Sequence, residues 1–167
     1  AIIGDSHFDQ HSRFAECIRL HDWIADDARE RGVDVALHAG DVFEKKSSPD
    51  ERNAFAAWVT KCALFAPVVI VRGNHDALDD LLIFGGLETT HPVVVEQAAA
   101  VHIVDAGDTK LAVACLAWPR RAELLASGLF ADQSDPAGAA LRAVLAGMRD
   151  QVDAHAGPST LLSPAMV

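Results

Sequence analysis

The chain has 167 residues, half of them hydrophobic, which is enough for one globular domain with a substantial core. Lys and Arg number 14 against 24 Asp and Glu, and the net charge of -10 excludes a broad phosphate-gripping surface, so any grip on nucleic acid has to be local or supplied by a partner. Cys17, Cys62 and Cys115 are odd in number and without a Cys-x-x-Cys pair, which fits free core thiols in a reducing compartment rather than a disulfide frame or a zinc knuckle.

Ala1 runs straight into the strand-like "AIIG", with no basic leader before it and no apolar stretch of membrane-spanning length after it, so the expected location is cytoplasmic, with no membrane partner. Phe14, Cys17, Ile18, His21, Ile24, Ala25 and Ala28 recur at helical spacing up to Gly32, and "VDVALHAG" reads as a second strand. Ser48 before Pro49, with Glu51 in the first turn, marks a helix start, and Phe55, Trp58, Val59, Cys62 and Phe65 then form one stripe until Pro67. "VVIVR" is the third strand. Alternating strands and helices in short units predict parallel pairing through right-handed crossovers, hence an α/β layered fold.

Beyond Asp80 the pattern becomes strand-like in "PVVVE", "AVHIVDA" and "TKLAVACLAW", with a turn at Ala106-Gly107-Asp108 joining the last two, and these are expected to extend the sheet. "PRRAELLASGLF" and "PAGAALRAVLAGMRDQVDAHA" read as helices, the second ending near Gly157, and "STLL" as one more strand.

Three polar clusters follow the first three strands: Gly4-Asp5-Ser6-His7, Gly40-Asp41 and Gly73-Asn74-His75-Asp76. Asp5 and Asp41 are 36 residues apart and Asp41 and Asn74 are 33, each about one strand-helix-strand crossover, so all three clusters are expected at one sheet edge. Carboxylate, imidazole and amide oxygen together suit hard or borderline divalent ions, Mn²⁺ above all, with Zn²⁺ or Fe²⁺ next. Carboxylates at the ends of adjacent strands repel each other unless a cation lies between them, and a shared Asp can bridge two ions about 3.5–4 Å apart, an arrangement suited to phosphoryl displacement.

In order and spacing, Asp5-x-His7, Gly40-Asp41 and Gly73-Asn74-His75-Asp76 resemble the first three motifs of the calcineurin-like metallophosphoesterases. "DSHF", "LHAGDVFEKKSSP", "VRGNHD" and "LAWPRRAELLA" are most similar to the SbcD-type nuclease subunits of DNA double-strand-break repair. The resemblance implies a layered fold with a mixed β-sheet core flanked by helices. Residues 1–167 would form the N-terminal portion of one such domain, cut before its C-terminal strands. It implies two divalent ions, with Asp5 and His7 on the first, Asp41 bridging and Asn74 on the second. His75 would stabilise charge or protonate the leaving group, and Asp76 would orient His75. The implied partners are DNA and an SbcC-type ATPase, and a homodimer is left open.

The family completes its site with later histidines, the first in a motif like Leu-Leu-x-His-Ala. "LLSPAMV" puts Pro164 where that histidine would stand, and a final His-x-His would fall beyond Val167. The second ion keeps only Asp41 and Asn74 by this count, so residues 1–167 alone are expected to be inactive. Other phosphoesterase activities, on nucleotides or phosphoproteins, and a degenerate scaffold stay open as alternatives. Outside the motifs, His11 is a candidate phosphate contact or a solvated loop residue. His21, His38, His91, His102 and His155 read as structural or solvated, and Arg120 and Arg121 as a solvated helix start that could meet DNA.

Overall fold

The computed structural model describes residues 1–126 and 128–164. Its first half is a four-stranded parallel sheet in sequence order, β1 (Ile2–Ile3), β2 (Ala36–His38), β3 (Val68–Val71) and β4 (Val93–Glu96). Helix α1 (Phe14–Glu30) links β1 to β2, and α2 (Pro49–Cys62) links β2 to β3. Because the strands follow one another in order and crossovers keep one hand, both helices fall on the same face. Side chains alternate accordingly: Ala36, Val68 and Ile70 pack under Ala25, Phe55, Trp58 and Val59, while Leu37, Val69 and Val71 point the other way.

That other face meets a second sheet. β5 (Ala99–Ala106) and β6 (Thr109–Leu116) form an antiparallel hairpin closed at Gly107-Asp108, and β7 (Ser159–Leu162) adds to β6 in parallel. Val104, Val113, Cys115 and Leu162 fill the space between the sheets, and Ala114 and Leu116 pack outward on Met148 of α5 (Pro136–Asp153). The layers therefore run helix, sheet, sheet, helix. The hairpin starts this second sheet rather than extending the first, which "PVVVE" alone does, as β4. Periodicity shows that a segment is a strand but not which edge it joins, and β5 and β6 have apolar residues for either placement.

Local chemistry sets the elements that carry the site. α2 starts on a capping box: Ser48 Oγ accepts from the Glu51 N–H, and Glu51 Oε2 accepts from the Ser48 N–H. The other Glu51 oxygen accepts from the Gln10 N–H at 2.7 Å, so a buried acid ties the loop after β1 to the start of α2. Two short helices were not legible at these lengths: α3 (Leu82–Gly85), and α4 (Arg121–Leu125), which is all that the described residues keep of the helix expected over "PRRAELLASGLF".

Candidate metal centre

The register Ile3–His38–Ile70–Val95 brings the carboxyl ends of all four strands of the first sheet to one edge. The loops that leave it are zipped together by the backbone. The Asp5 N–H donates to the Gly40 carbonyl (3.1 Å), the His7 N–H to that of Asp41 (3.0 Å) and the Phe8 N–H to that of Val42 (2.8 Å), and Phe8 and Phe43 are buried beneath. Following that path puts Asp5 (φ 52°), His7 (φ 45°) and Asp41 (φ 51°) in the left-handed region, which costs an L-residue about 1–2 kcal/mol each. Strain concentrated on three neighbouring polar residues points to a functional site.

One ligand atom each from Asp5, His7 and Asp41 can be chosen so that all lie within 4.8 Å of one another. Asp41 is buried, and its Oδ1 accepts the His75 N–H at 2.9 Å. Gly73 is required by this approach rather than by an unusual turn: a Cβ there would overlap the Asp41 carboxylate and backbone nitrogen. Gly40 packs against Gly73 in the same way, with 2.7 Å between its would-be Cβ and the Gly73 nitrogen. Asn74 is exposed, between two residues that touch Asp41.

The two imidazoles of the motifs meet edge to face, with ring centroids 4.9 Å apart. Glu44, three residues after Asp41, serves both: its Oε2 lies 2.8 Å from His7 Nδ1, and its main-chain carbonyl accepts from His75 Nδ1 at 2.9 Å. That side-chain contact is not a hydrogen bond, and His7 Nδ1 is buried without a hydrogen-bond partner among the described residues. The bond to the Glu44 carbonyl, with the nearby charges of Asp41, Glu44 and Asp76, holds the His75 ring above the usual histidine range and favours the protonated form that can donate to a leaving group. Glu44 was missed in the sequence. The only signal was an acid in the Asp41 loop, and its partners are main-chain and imidazole atoms that spacing cannot reveal.

Asp76, expected to orient His75, spends its carboxylate on the backbone: Oδ1 accepts from the Phe43 N–H (3.0 Å) and Oδ2 from the Gly73 N–H (2.8 Å). It shapes the loop that carries His75 without bonding to the ring, and burial raises its pKa above the usual carboxylate range. His11 is exposed and makes its hydrogen bonds to Asp9 and Gln10. Pro164, just past β7, is half-buried and offers no ligand atom, and residues 165–167 lie outside the described residues.

Beneath the centre, His38 and His21 are buried and share Ser6 Oγ at 2.8 Å each. The Gly40 N–H donates to His38 Nδ1, so His38 Nε2–H donates to Ser6. The Ser6 hydroxyl then donates to His21 Nε2, and His21 Nδ1–H to the Cys17 carbonyl. The chain is satisfied only with both rings neutral. Burial, and then His21, depresses His38 to about 3, and burial lowers His21.

The donor set fits a divalent cation: two carboxylates, an imidazole and an adjacent amide, with an orphaned ring nitrogen among them. No helix among the described residues is long and apolar enough to cross a membrane. Comparison with curated proteins returns no match. The family model for the calcineurin-like phosphoesterase domain matches residues 1–121, which span all three clusters, and the chain belongs to that family of metal-dependent phosphoester hydrolases.

Proposed function

We propose that the chain is the nuclease part of a DNA repair assembly, hydrolysing phosphodiester bonds with two divalent ions, Mn²⁺ foremost, alongside an SbcC-type ATPase that supplies most of the DNA grip. The observation that carries the metal chemistry is the convergence of Asp5, His7 and Asp41, with His75 against both His7 and Asp41. Bound ions would activate water and neutralise phosphate charge. Asp5, His7 and Asp41 would hold the first ion, and Asp41 and Asn74 would contribute to the second. His75, fixed by the Glu44 carbonyl, which raises its pKa, would give a proton to the departing oxygen. Asp76 would keep the Gly73–Asp76 loop folded around Asp41.

The DNA assignment is supported by the likeness of "LHAGDVFEKKSSP" and "LAWPRRAELLA" to SbcD-type subunits, and by Arg120 and Arg121 at the start of α4. The net charge of -10 is consistent with a partner doing most of the DNA binding. The deciding experiment is cleavage of linear duplex and single-stranded DNA by the full-length protein with Mn²⁺, with and without the ATPase, beside a cyclic nucleotide and a phosphopeptide. DNA cleavage stimulated by the ATPase supports the proposal. Turnover of the small phosphoesters alone would move the chain to another branch of the family, and no turnover by a metal-loaded protein would make it a scaffold.

A further inference from the structure

Arg72 immediately precedes the Gly73–Asp76 loop, and it is only 1 % exposed. Its guanidinium is poorly served for a buried cation. Nη2 donates to the Trp118 carbonyl at 3.3 Å and stands 3.6 Å from Glu123 Oε2, while Nε and Nη1 are buried without hydrogen-bond partners among the described residues. Taking a guanidinium out of water without full pairing is costly, and an apolar chain of similar length would fill the same volume without that cost, so packing does not account for the charge.

Its surroundings suggest what does. The Arg72 N–H donates to the Glu96 carbonyl and its carbonyl accepts from the Trp118 N–H, both at 2.9 Å, so the exit from β3 is gripped by the ends of β4 and β6. Glu123 sits on α4, a short helix with no buried residue and no side-chain cap. Glu123 also lines, with Trp118 and Leu124, a mostly apolar cavity of about 500 Å³ beneath α4. Gln97, on the same cavity wall, pairs its side-chain amide with Asp79 (2.8 and 3.2 Å), which is held at φ 66° on the far side of the same loop. Both ends of the loop that carries Asn74 and His75 are thus tied to the walls of one cavity.

We propose that Arg72 is a positioning residue for this loop and that Glu123, through Arg72, makes the loop's rigidity depend on where α4 sits. With α4 on the body, Glu123 offsets the buried charge and the loop stays folded on Asp41. With α4 displaced, Arg72 loses its counter-charge and the loop loosens. The consequence for catalysis rests on the proposed metal site, but the coupling itself belongs to the metal-free protein.

The test is amide hydrogen exchange in the metal-free full chain. It is read at the Gly73 and His75 N–H groups, which are bonded to Asp76 and Asp41, with the Val113 N–H of β6 as control. Glu123→Gln, which keeps the shape and removes the charge, is expected to speed exchange about tenfold at Gly73 and His75 and to leave Val113 unchanged. Arg72→Met removes the buried charge. It is expected to keep or raise Tm while speeding the same two amides, and to weaken Mn²⁺ binding by calorimetry about tenfold. The proposal is overturned if Glu123→Gln exchanges like the wild type at Gly73 and His75, or if Arg72→Met lowers Tm and speeds Val113 equally, which is what a merely structural residue would do. Should Arg72→Met not fold, Glu123→Gln decides alone. A wild-type protein that binds no Mn²⁺ would sink the metal reading, and exchange would still decide the coupling.

Discussion

The two sheets face each other across one core but are built on opposite terms. The second, β5–β7, is regular: a tight hairpin with every residue of β5 opposite one of β6, and a third strand added alongside. The carboxyl edge of the first sheet is irregular, with three polar residues in left-handed backbone, two glycines pressed together and a buried carboxylate folded under a loop. Backbone hydrogen bonds between the loops after β1 and β2, from Asp5 to Gly40, His7 to Asp41 and Phe8 to Val42, sustain that strain, with the buried strands β2 and β3 alongside. A well-packed sheet here serves as the platform, and the departure from regularity marks where the chemistry is.

The largest effects are therefore expected from residues of the irregular edge. Asp41→Ala removes a proposed ligand and also the acceptor of the His75 N–H, so Mn²⁺ affinity should fall by about a hundredfold or more and hydrolysis with it, read by calorimetry and a phosphodiester assay. His75→Ala should lower kcat by about 10²–10⁴ and leave Mn²⁺ affinity within a few-fold, since the proposed ions are held by Asp5, His7, Asp41 and Asn74 and the ring is proposed to act on the leaving group. If His75→Ala loses metal as fully as Asp41→Ala, the ring is a ligand and the proton donor must be another group.

How far each region could be read from the sequence follows the same division. Alternation and capping signals placed α1, α2 and the four parallel strands, because Ser48, Pro49 and Glu51 act within one turn and "VVIV" is buried on both faces. The spacing of Asp5, Asp41 and Asn74 was enough to bring them to one edge, since a crossover has few ways to close. What could not be read were contacts set by loop shape: Glu44 on both histidines, the Asp76 carboxylate on Gly73 and Phe43, and the hairpin's choice of a second sheet. Each depends on a backbone path that no local pattern encodes.

Glycines sharpen the comparison at smaller magnitude. Gly73→Ala forces a methyl into the Asp41 carboxylate, so it should cost about 1–3 kcal/mol of stability and weaken Mn²⁺ binding as Asp41 and His75 are pushed apart. Gly107→Ala, in the hairpin turn of the second sheet at φ 59°, should cost about 1–2 kcal/mol and leave metal affinity untouched. Urea titrations with calorimetry on both variants separate the two. Equal losses of Mn²⁺ affinity would mean that the hairpin turn acts on the metal edge as directly as Gly73 does.

The smallest expected effect is acid sensitivity arising beneath the site. His38 is fully buried and neutral between the Gly40 N–H and Ser6 Oγ, and its pKa is depressed to about 3 by burial and then by His21. In the unfolded chain the ring takes up its proton near pH 6.5, whereas the folded protein does not until about 3. Between those values the unfolded state binds more protons, so stability is fully present above pH 6.5 and is lost progressively as the pH falls toward 3. The loss from this one ring between pH 7 and 5.5 should be about 1 kcal/mol, seen as a lower urea midpoint. His38→Gln, which keeps a donor and an acceptor but cannot titrate, should remove that part of the slope. If the slope is unchanged in His38→Gln, then the acid sensitivity comes from His21, whose pKa burial also lowers, or from groups outside the His38–Ser6–His21 chain.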